Sequence, residues 1–386
     1  MSLDDNVALP QAIATHRARL AAFLKEEVLP AERKNAIRDE SDAVPDLIRW
    51  IRQRSALLGL YRLLQSTEVG GGGLGPLGAV ALHEAIGASG AILGRFALGG
   101  DGGLLAHGTP EQRARFLMPV LRGELTAVLA FTDAREGPRT TAVRRGDRFL
   151  VSGVKSFVTG GARADLLVTV ARVTENDGGP TGPALFVVPR TAAGVTLRRE
   201  LRTLDGAVHG EFDLRDVEIP AADLIGAIGE GLPKALTGIA ALRLRVAATA
   251  CGVGSWTLER TLADITRPHR GGTPLADREQ VQAMIGEIAM DLYAARSATY
   301  AAARRTEAGA DGDMEATMAK ALATEAVARI VDRAMQLAGG AAVVDDHPFA
   351  VAYRRIRSWR IAEGTTEMLR LATARSMLDR RGDAGW

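Results

Sequence analysis

Apolar positions recur at three- and four-residue spacing over residues 10–29 and 42–60, which predicts two amphipathic helices. A glycine-rich run at 70–75 breaks the pattern, and helix returns at 76–88. Pro110 stands where a helix begins, with Thr109 as its N-cap ahead of Glu111 and Gln112. From about residue 126 the period shortens. Runs at 148–152, 166–171, 184–188 and 211–215 are β-branched or alternating, and turn clusters at 145–147 and 176–180 separate them. With no helices between them to make crossovers, these strands predict an antiparallel barrel or sandwich. Helix resumes near 228. Val281, Met284, Ile285, Ile288 and Leu292 form one stripe, and an Ala-rich helix from about 314 to 337 is apolar over much of its circumference, which predicts deep burial. The expected organisation is α+β: a helical domain over 1–125, a β domain over 126–227 and a helical domain over 228–386.

Composition narrows the function classes. A chain of 386 residues exceeds one ordinary core, so two or three domains are expected. Only 4% of residues are aromatic while 43 are Gly, which favours Ala-rich packed helices over a large β-sandwich. A net charge of +2 is too small to argue for nucleic acid or an anionic membrane as partner. The lone Cys251 excludes an internal disulfide and a multi-thiolate metal site, and no pair of the six histidines sits at metal-helix spacing, so no metal is expected. The best apolar stretch, 79–98, carries His83, Glu84 and Arg95, which argues against a spanning helix. The opening Met-Ser-Leu-Asp-Asp-Asn has acids where a targeting peptide has bases, so a soluble, cytoplasmic protein is expected.

Several segments could carry chemistry. The run Gly70 to Gly75 satisfies a dinucleotide-binding spacing, but Gln65-Ser66-Thr67-Glu68 precedes it instead of a hydrophobic strand, so it reads as an interhelical loop. Phe131-Thr132-Asp133 closes an apolar run at the helix-to-β junction, where backbone donors are free to meet a ligand. Phe157-Val158-Thr159-Gly160-Gly161 ends a strand with a ring, a hydroxyl and two glycines at which backbone can approach a flat cofactor; a plain strand ending in a glycine turn fits equally. Gln336-Leu337-Ala338-Gly339-Gly340 is a helix C-cap, or a set of N–H groups able to hold a pyrophosphate or adenine edge. Glu363 lies between Ile361-Ala362 and Gly364, ahead of a helix that starts with Thr365-Thr366. Capping is the first reading of these residues alone. General base is the second: partial desolvation raises such a carboxyl while the helix N-terminus lowers it.

Taken in order, these segments resemble the acyl-CoA dehydrogenase family over nearly the whole chain. The similarity is carried by His107-Gly108-Thr109-Pro110-Glu111-Gln112, Gly123-Glu124, Thr132-Asp133, Gly153-x-Lys155, the 157–161 segment, Asp216 to Pro220, Gly229-Glu230-Gly231, Gln336 with Gly339-Gly340, and Glu363-Gly364-Thr365. The resemblance implies an N-terminal helical domain, a middle β-barrel and a C-terminal four-helix bundle, assembled as a homotetramer or homodimer. It also implies FAD as cofactor. Leu129, Phe131 and Thr132 would line one side of the flavin ring and Phe157, Val158 and Thr159 the other. Gln336, Gly339 and Gly340 would reach the ADP half from a neighbouring subunit, and Thr365 and Glu367 match positions that touch the cofactor. Arg245, with Gly364, falls at the substrate channel, and Arg245 matches an arginine supporting the base.

The implied reaction removes a proton alpha to a thioester carbonyl and passes the beta hydrogen to the flavin, with electrons leaving to an electron-transfer flavoprotein. Glu363 is the implied base. Some members carry it just before the channel arginine, and Leu244 stands at that place here. Two departures bear on this. Residues 134–139 lack the family's loop sequence over substrate and cofactor, which leaves a thioester on a carrier protein open beside CoA. Around 267–280 an expected Phe is missing, and Arg267 or Arg270 would take the place of the arginine at the FAD diphosphate. A flavin oxidase or monooxygenase, or a non-catalytic partner subunit, remain alternatives on the same fold.

Overall fold

The computed structural model of the chain describes residues 7–100, 102–268, 272–310 and 312–383. It divides into two compact units, one of Met1–Leu64, Leu74–Leu98 and Ile239–Trp386, the other of Gln65–Gly73 and Gly99–Gly238.

The first unit is helical. Helix α1 (Gln11–Phe23) continues through a π-helical turn, Leu24–Val28, into residues 29–34; α2 (Pro45–Leu57) and α3 (Pro76–Ser89) follow. Proline opens α2 and α3, where its missing N–H costs nothing. The α3 N-terminus also meets a carboxylate, since Leu77 N–H donates to Glu307 Oε2 at 3.0 Å. Four further helices complete the unit: α5 (Glu279–Glu307), α6 (Asp313–Ala338), α7 (Pro348–Arg357) and α8 (Thr366–Asp383) pack with most of α4 (Gly231–Ile265). Alanines form the seam, among them Ala81, Ala247, Ala248, Ala319, Ala323 and Ala326. Small side chains let the backbones close in: a Cβ on Gly87 of α3 would lie 2.3 Å from the Thr249 carbonyl of α4. The expected burial of the 314–337 helix is observed, with eleven residues of α6 buried. Glu84 inside α3 is enclosed and fully paired, accepting from Arg296 Nε at 2.6 Å and the Tyr300 hydroxyl at 2.5 Å.

The second unit is built on eight strands: β1 (Ala127–Ala130), β2 (Thr141–Arg145), β3 (Arg148–Thr159), β4 (Leu166–Glu175), β5 (Gly182–Pro189), β6 (Val195–Arg202), β7 (Val208–Pro220) and β8 (Leu224–Ile225). They run in the order β6-β7-β3-β2-β4-β5-β8, with β1 beside β4. All four runs expected from sequence lie within strands. The expected antiparallel arrangement is corrected: β1 and β2 both pair with β4 in parallel. Hairpin β2–β3 puts β3 on one side of β2, and the chain crosses through a short turn at Gly161–Arg163 to place β4 on the other, so no helical crossover is needed. Past β1 the chain runs on to bond β3, through Ser156 N–H to Thr132 O at 2.9 Å and Ala134 N–H to Val154 O at 2.8 Å. The path β1-β4-β2-β3 thereby returns to β1 around Phe149, Phe186 and Phe212.

A helical segment at 110–121 packs Phe116, Leu117 and Leu121 on Leu166, Leu185 and Ile225 of this sheet. Thr109 caps it as expected, in a reciprocal box with Gln112. Among the described residues no helix is long and apolar enough to cross a membrane, and no group of three or more His, Cys, Asp and Glu could hold a metal ion.

Candidate active site

The helical unit carries the carboxylate. Helix α7 ends in a tight turn at Ser358–Arg360, and Ser358 O accepts both Ile361 N–H and Ala362 N–H at 2.9 Å. The chain then reverses through two left-handed residues, Glu363 (φ 55°) and Gly364 (φ 102°), before α8. A non-glycine residue there is strained and persists only where its surroundings impose it. Two cations do so. Arg243 Nε of α4 donates to Glu363 O at 3.0 Å, and Lys320 Nζ of α6 donates to Gly364 O at 2.7 Å. Arg243 is itself held, its Nη1 donating to Thr317 Oγ1 at 3.0 Å, whose hydroxyl donates to Asp313 O at 2.8 Å.

The turn is gripped by its backbone, and the Glu363 carboxylate has no hydrogen-bond or ion-pair partner among the described residues. Burial pushes this carboxyl above the ordinary range, against the pull of Arg243 and then Lys320. Desolvation therefore outweighs the opposing electrostatics, a balance the sequence left open. Burial lowers Lys320 to about 8, with Arg243 adding to the fall and Glu363 and Glu367 opposing it.

Helix α8 starts next. Thr365 Oγ1 accepts Met368 N–H at 3.3 Å, so Thr365 serves as cap. Glu367 is exposed, and backbone and Thr365 hydrogen bonds hold its carboxyl low. The hydroxyl of Thr366 is buried without a partner among the described residues.

The arginine that bonds to this turn is Arg243, two positions before Arg245. Two residues along a helix turn a side chain by about 200°, so the pair face opposite ways and only one can meet the turn. The main-chain carbonyl of Arg245 accepts the Thr249 hydroxyl at 2.8 Å. The position preceding the arginine thus becomes Leu242, which carries no carboxylate either. Arg243 and Arg245 look alike in a linear reading. Lys320 did carry a signal, as the one cation on the buried face of an Ala-rich helix, between Ala316 and Ala323.

The β unit brings the two segments expected to line a flavin ring side by side through the β1–β3 bonds given above. Lys155 fastens them: its enclosed ammonium donates to Phe131 O at 2.9 Å and Asp133 Oδ1 at 2.7 Å, and Asp133 also accepts the Thr140 hydroxyl at 2.7 Å. Burial raises the Asp133 carboxyl, but Lys155 and Thr140 together bring it below its usual value. Phe157 is left-handed (φ 53°) and the residue is 59% exposed, so the strand bears strain where it presents an aromatic side chain. Thr132 and Thr159 are exposed and Leu129 and Phe131 half-buried. Val158 points the other way, fully buried in the barrel core, so only its main chain could meet a ligand. Sequence reasoning missed His209, whose Nδ1 lies 3.1 Å from the Thr159 hydroxyl and whose ring meets Phe157 edge-on at 5.9 Å. An exposed ring, two hydroxyls and a left-handed Gly160 (φ 69°) fit the edge and face of a flat heteroaromatic such as a flavin.

The remaining candidates lie apart from these clusters in the sequence. Gln336, Gly339 and Gly340 are exposed at the end of α6, and a Cβ on either glycine would meet nothing within 4 Å. Arg267 is exposed, 3.6 Å from Asp264. Arg270 lies outside the described residues.

Comparison with known proteins agrees with this geometry. The acyl-CoA dehydrogenase N-terminal, middle and C-terminal domains match residues 12–124, 130–217 and 229–378. A 3-(aryl)acrylate reductase of Clostridium sporogenes is 28% identical, over 92% of this chain and 96% of that protein. An acyl-CoA dehydrogenase of Bacillus subtilis is 28% identical, over 94% and 97%. The crystal structure of an acyl-CoA dehydrogenase from Geobacillus kaustophilus superposes with a TM-score of 0.83 at 26% identity, covering 96% of this chain and 98% of that one. With all three domains matched in order, the chain belongs to the acyl-CoA dehydrogenase family, oxidoreductases that are in general FAD-dependent.

Proposed function

We propose that the chain interconverts a saturated acyl-CoA and its 2-enoyl-CoA, with Glu363 as the group that removes the alpha proton. The observation that carries this reading is the Glu363 carboxylate itself: desolvated, raised in pKa, without a partner among the described residues, and borne on a left-handed turn whose two carbonyls are held by Arg243 and Lys320. A capping or structural carboxylate would be hydrogen-bonded; this one is kept available for a proton. FAD, when bound, supplies the electron sink that takes up the beta hydrogen. Phe131 and Thr132 with Phe157 and Thr159 would hold its ring, Leu129 and the Val158 main chain adding to that wall. Thr365 and Glu367 would contact it from the start of α8. Gln336, Gly339 and Gly340, with Arg267 or Arg270, would hold the ADP half in a neighbouring subunit.

Gly364 and the Arg243 side of the channel would border the acyl chain. Glu363 would give the proton back in the reverse direction, so enoyl reduction needs no different residues. That matters because relatives include proteins named acryloyl-CoA reductase (NADH) and caffeyl-CoA reductase-Etf complex subunit CarC. An electron-transfer flavoprotein is the proposed redox partner, and a homotetramer or homodimer the proposed assembly.

Anaerobic titration of the FAD-loaded protein with acyl-CoAs of graded length tests the reading. Bleaching of the flavin band is expected, and Glu363→Gln should abolish it while FAD stays bound. A protein that takes up no flavin, or a Gln variant that bleaches as fast as wild type, would overturn it.

A further inference from the structure

We propose that Lys320 is a positioning residue for this reaction: its enclosed ammonium holds the carbonyl of Gly364 and so fixes the turn that presents Glu363. The inference rests on the reading of Glu363 as the base. Lys320 is 0% exposed, and Gly364 O at 2.7 Å is its hydrogen-bond partner among the described residues. Helix packing does not call for it. Its buried neighbours one turn away on α6 are Ala316, Thr317, Ala323 and Thr324, all small, and burial alone would not select an ammonium among them. Nor does a salt bridge account for it, because among the described residues no carboxylate oxygen lies within 4 Å of Nζ.

The charged groups that act on it and on the base are few. Arg243 reaches over from α4, Glu363 and Glu367 flank the turn, and Asp313 at the start of α6 acts on Arg243. An ammonium so placed does two things. It satisfies the outward carbonyl that the left-handed Gly364 leaves in the protein interior. Its charge also favours the carboxylate form of Glu363, keeping a desolvated base ionised where it has to work. Arg243 and Lys320 thus grip consecutive carbonyls from two different helices, and a turn held at both peptides cannot swing the carboxylate away.

The test uses the FAD-loaded protein with butyryl-CoA as probe, reading alpha-deuterium exchange in heavy water and anaerobic flavin bleaching from about pH 5 to about pH 9. Lys320→Met is expected to slow both about 10- to 100-fold near neutrality, the scale of a base displaced by about an ångström, with KM changed less than about 3-fold. Its acid limb should move to higher pH. Lys320→Gln can still donate to Gly364 O but carries no charge, so it should recover most of the maximal rate and keep the shifted limb.

A second readout needs neither flavin nor turnover. In FAD-free protein, the Glu363 carboxyl stretch, isolated as the infrared difference between wild type and Glu363→Gln, should titrate at higher pH once Lys320 is replaced. Wild-type rates together with a wild-type titration in Lys320→Met overturn the proposal. If that variant fails to fold, an unshifted limb in Lys320→Gln overturns it instead. A wild-type protein that reacts with no CoA thioester sinks the proposed function, while the infrared titration still decides the role of Lys320.

Discussion

Arg243 grips Glu363 by its main-chain carbonyl, at 3.0 Å, and leaves the carboxylate of the same residue without a partner among the described residues. A base needs a fixed position and a free proton acceptor, and holding the residue by its backbone satisfies both.

Replacing Glu363 by Gln is expected to lower turnover about 10²- to 10⁴-fold, the usual contribution of a positioned general base. The same change should stabilise the fold at neutral pH. The folded-state pKa of Glu363 lies above the unfolded one, so the fold favours its protonated form. That contribution is complete below the unfolded value of about 4.3 and is lost as pH rises through the folded value. Melting temperatures should therefore favour Glu363→Gln at pH about 7 and converge toward pH about 4. Equal melting at both pH values would contradict a desolvated carboxylate.

Arg243 and Arg245 can be separated by paired substitution. Arg243→Gln removes the charge that most lowers the Glu363 pKa and the bond to its carbonyl, so the acid limb of the rate profile should move up and the rate fall about 10-fold or more. Arg245→Gln should leave the limb in place. Limbs that move equally in both variants would return Arg245 to the role the sequence assigned it.

Gly364 has a φ of 102°, and a Cβ there would stand 2.9 Å from Leu369 Cδ2 and 3.5 Å from Arg243 Nη2. Gly364→Ala should cost about 1–3 kcal/mol in chemical denaturation and reduce kcat more than KM, because the relaxed turn misplaces the base. A fully active, fully stable Ala variant would show that the turn has slack.

In the β unit, Lys155→Met would leave Phe131 O and the partly exposed Asp133 without their ammonium. A loss of about 1–3 kcal/mol is expected, together with weaker FAD retention on dilution, since both ring-facing segments are tied at this point. Unchanged FAD retention would mean that the β1–β3 backbone bonds hold the wall unaided.

Lys320 should leave a mark on stability in alkali. Its folded value of about 8 lies below the unfolded value near 10.4, so the unfolded chain binds the extra proton between them. Stability should rise with pH across that window, and Lys320→Met should remove the rise. Urea midpoints measured at about pH 7.5 and about pH 10 in the two proteins check this.

Local patterns carry local information. The helix-β-helix order, the Thr109 cap and the burial of the 314–337 helix were all legible, because period, capping residues and glycine placement act within a few residues of themselves. Strand β6 escaped notice because its exposed charges, Arg198, Arg199, Glu200 and Arg202, hide any alternation. Parallel pairing of β1 and β2 with β4 escaped because pairing partners lie some thirty to forty residues away.

The site divides along the same line. Glu363 stood out by sequence as a carboxylate beside a glycine at a helix start, but a capping glutamate looks the same there. What separates the two is desolvation, a free carboxylate and a left-handed backbone, and each depends on residues brought from elsewhere. Arg243 lies 120 positions away on α4 and Lys320 lies on α6, 44 positions from the carbonyl it holds. Which of two near-identical arginines faces the turn is set by the rotation of a helix against its neighbours. The chain alone offers Glu363 as the candidate base; only tertiary packing decides whether a carboxyl there can act as one, because the pKa and aim of a carboxyl belong to its surroundings.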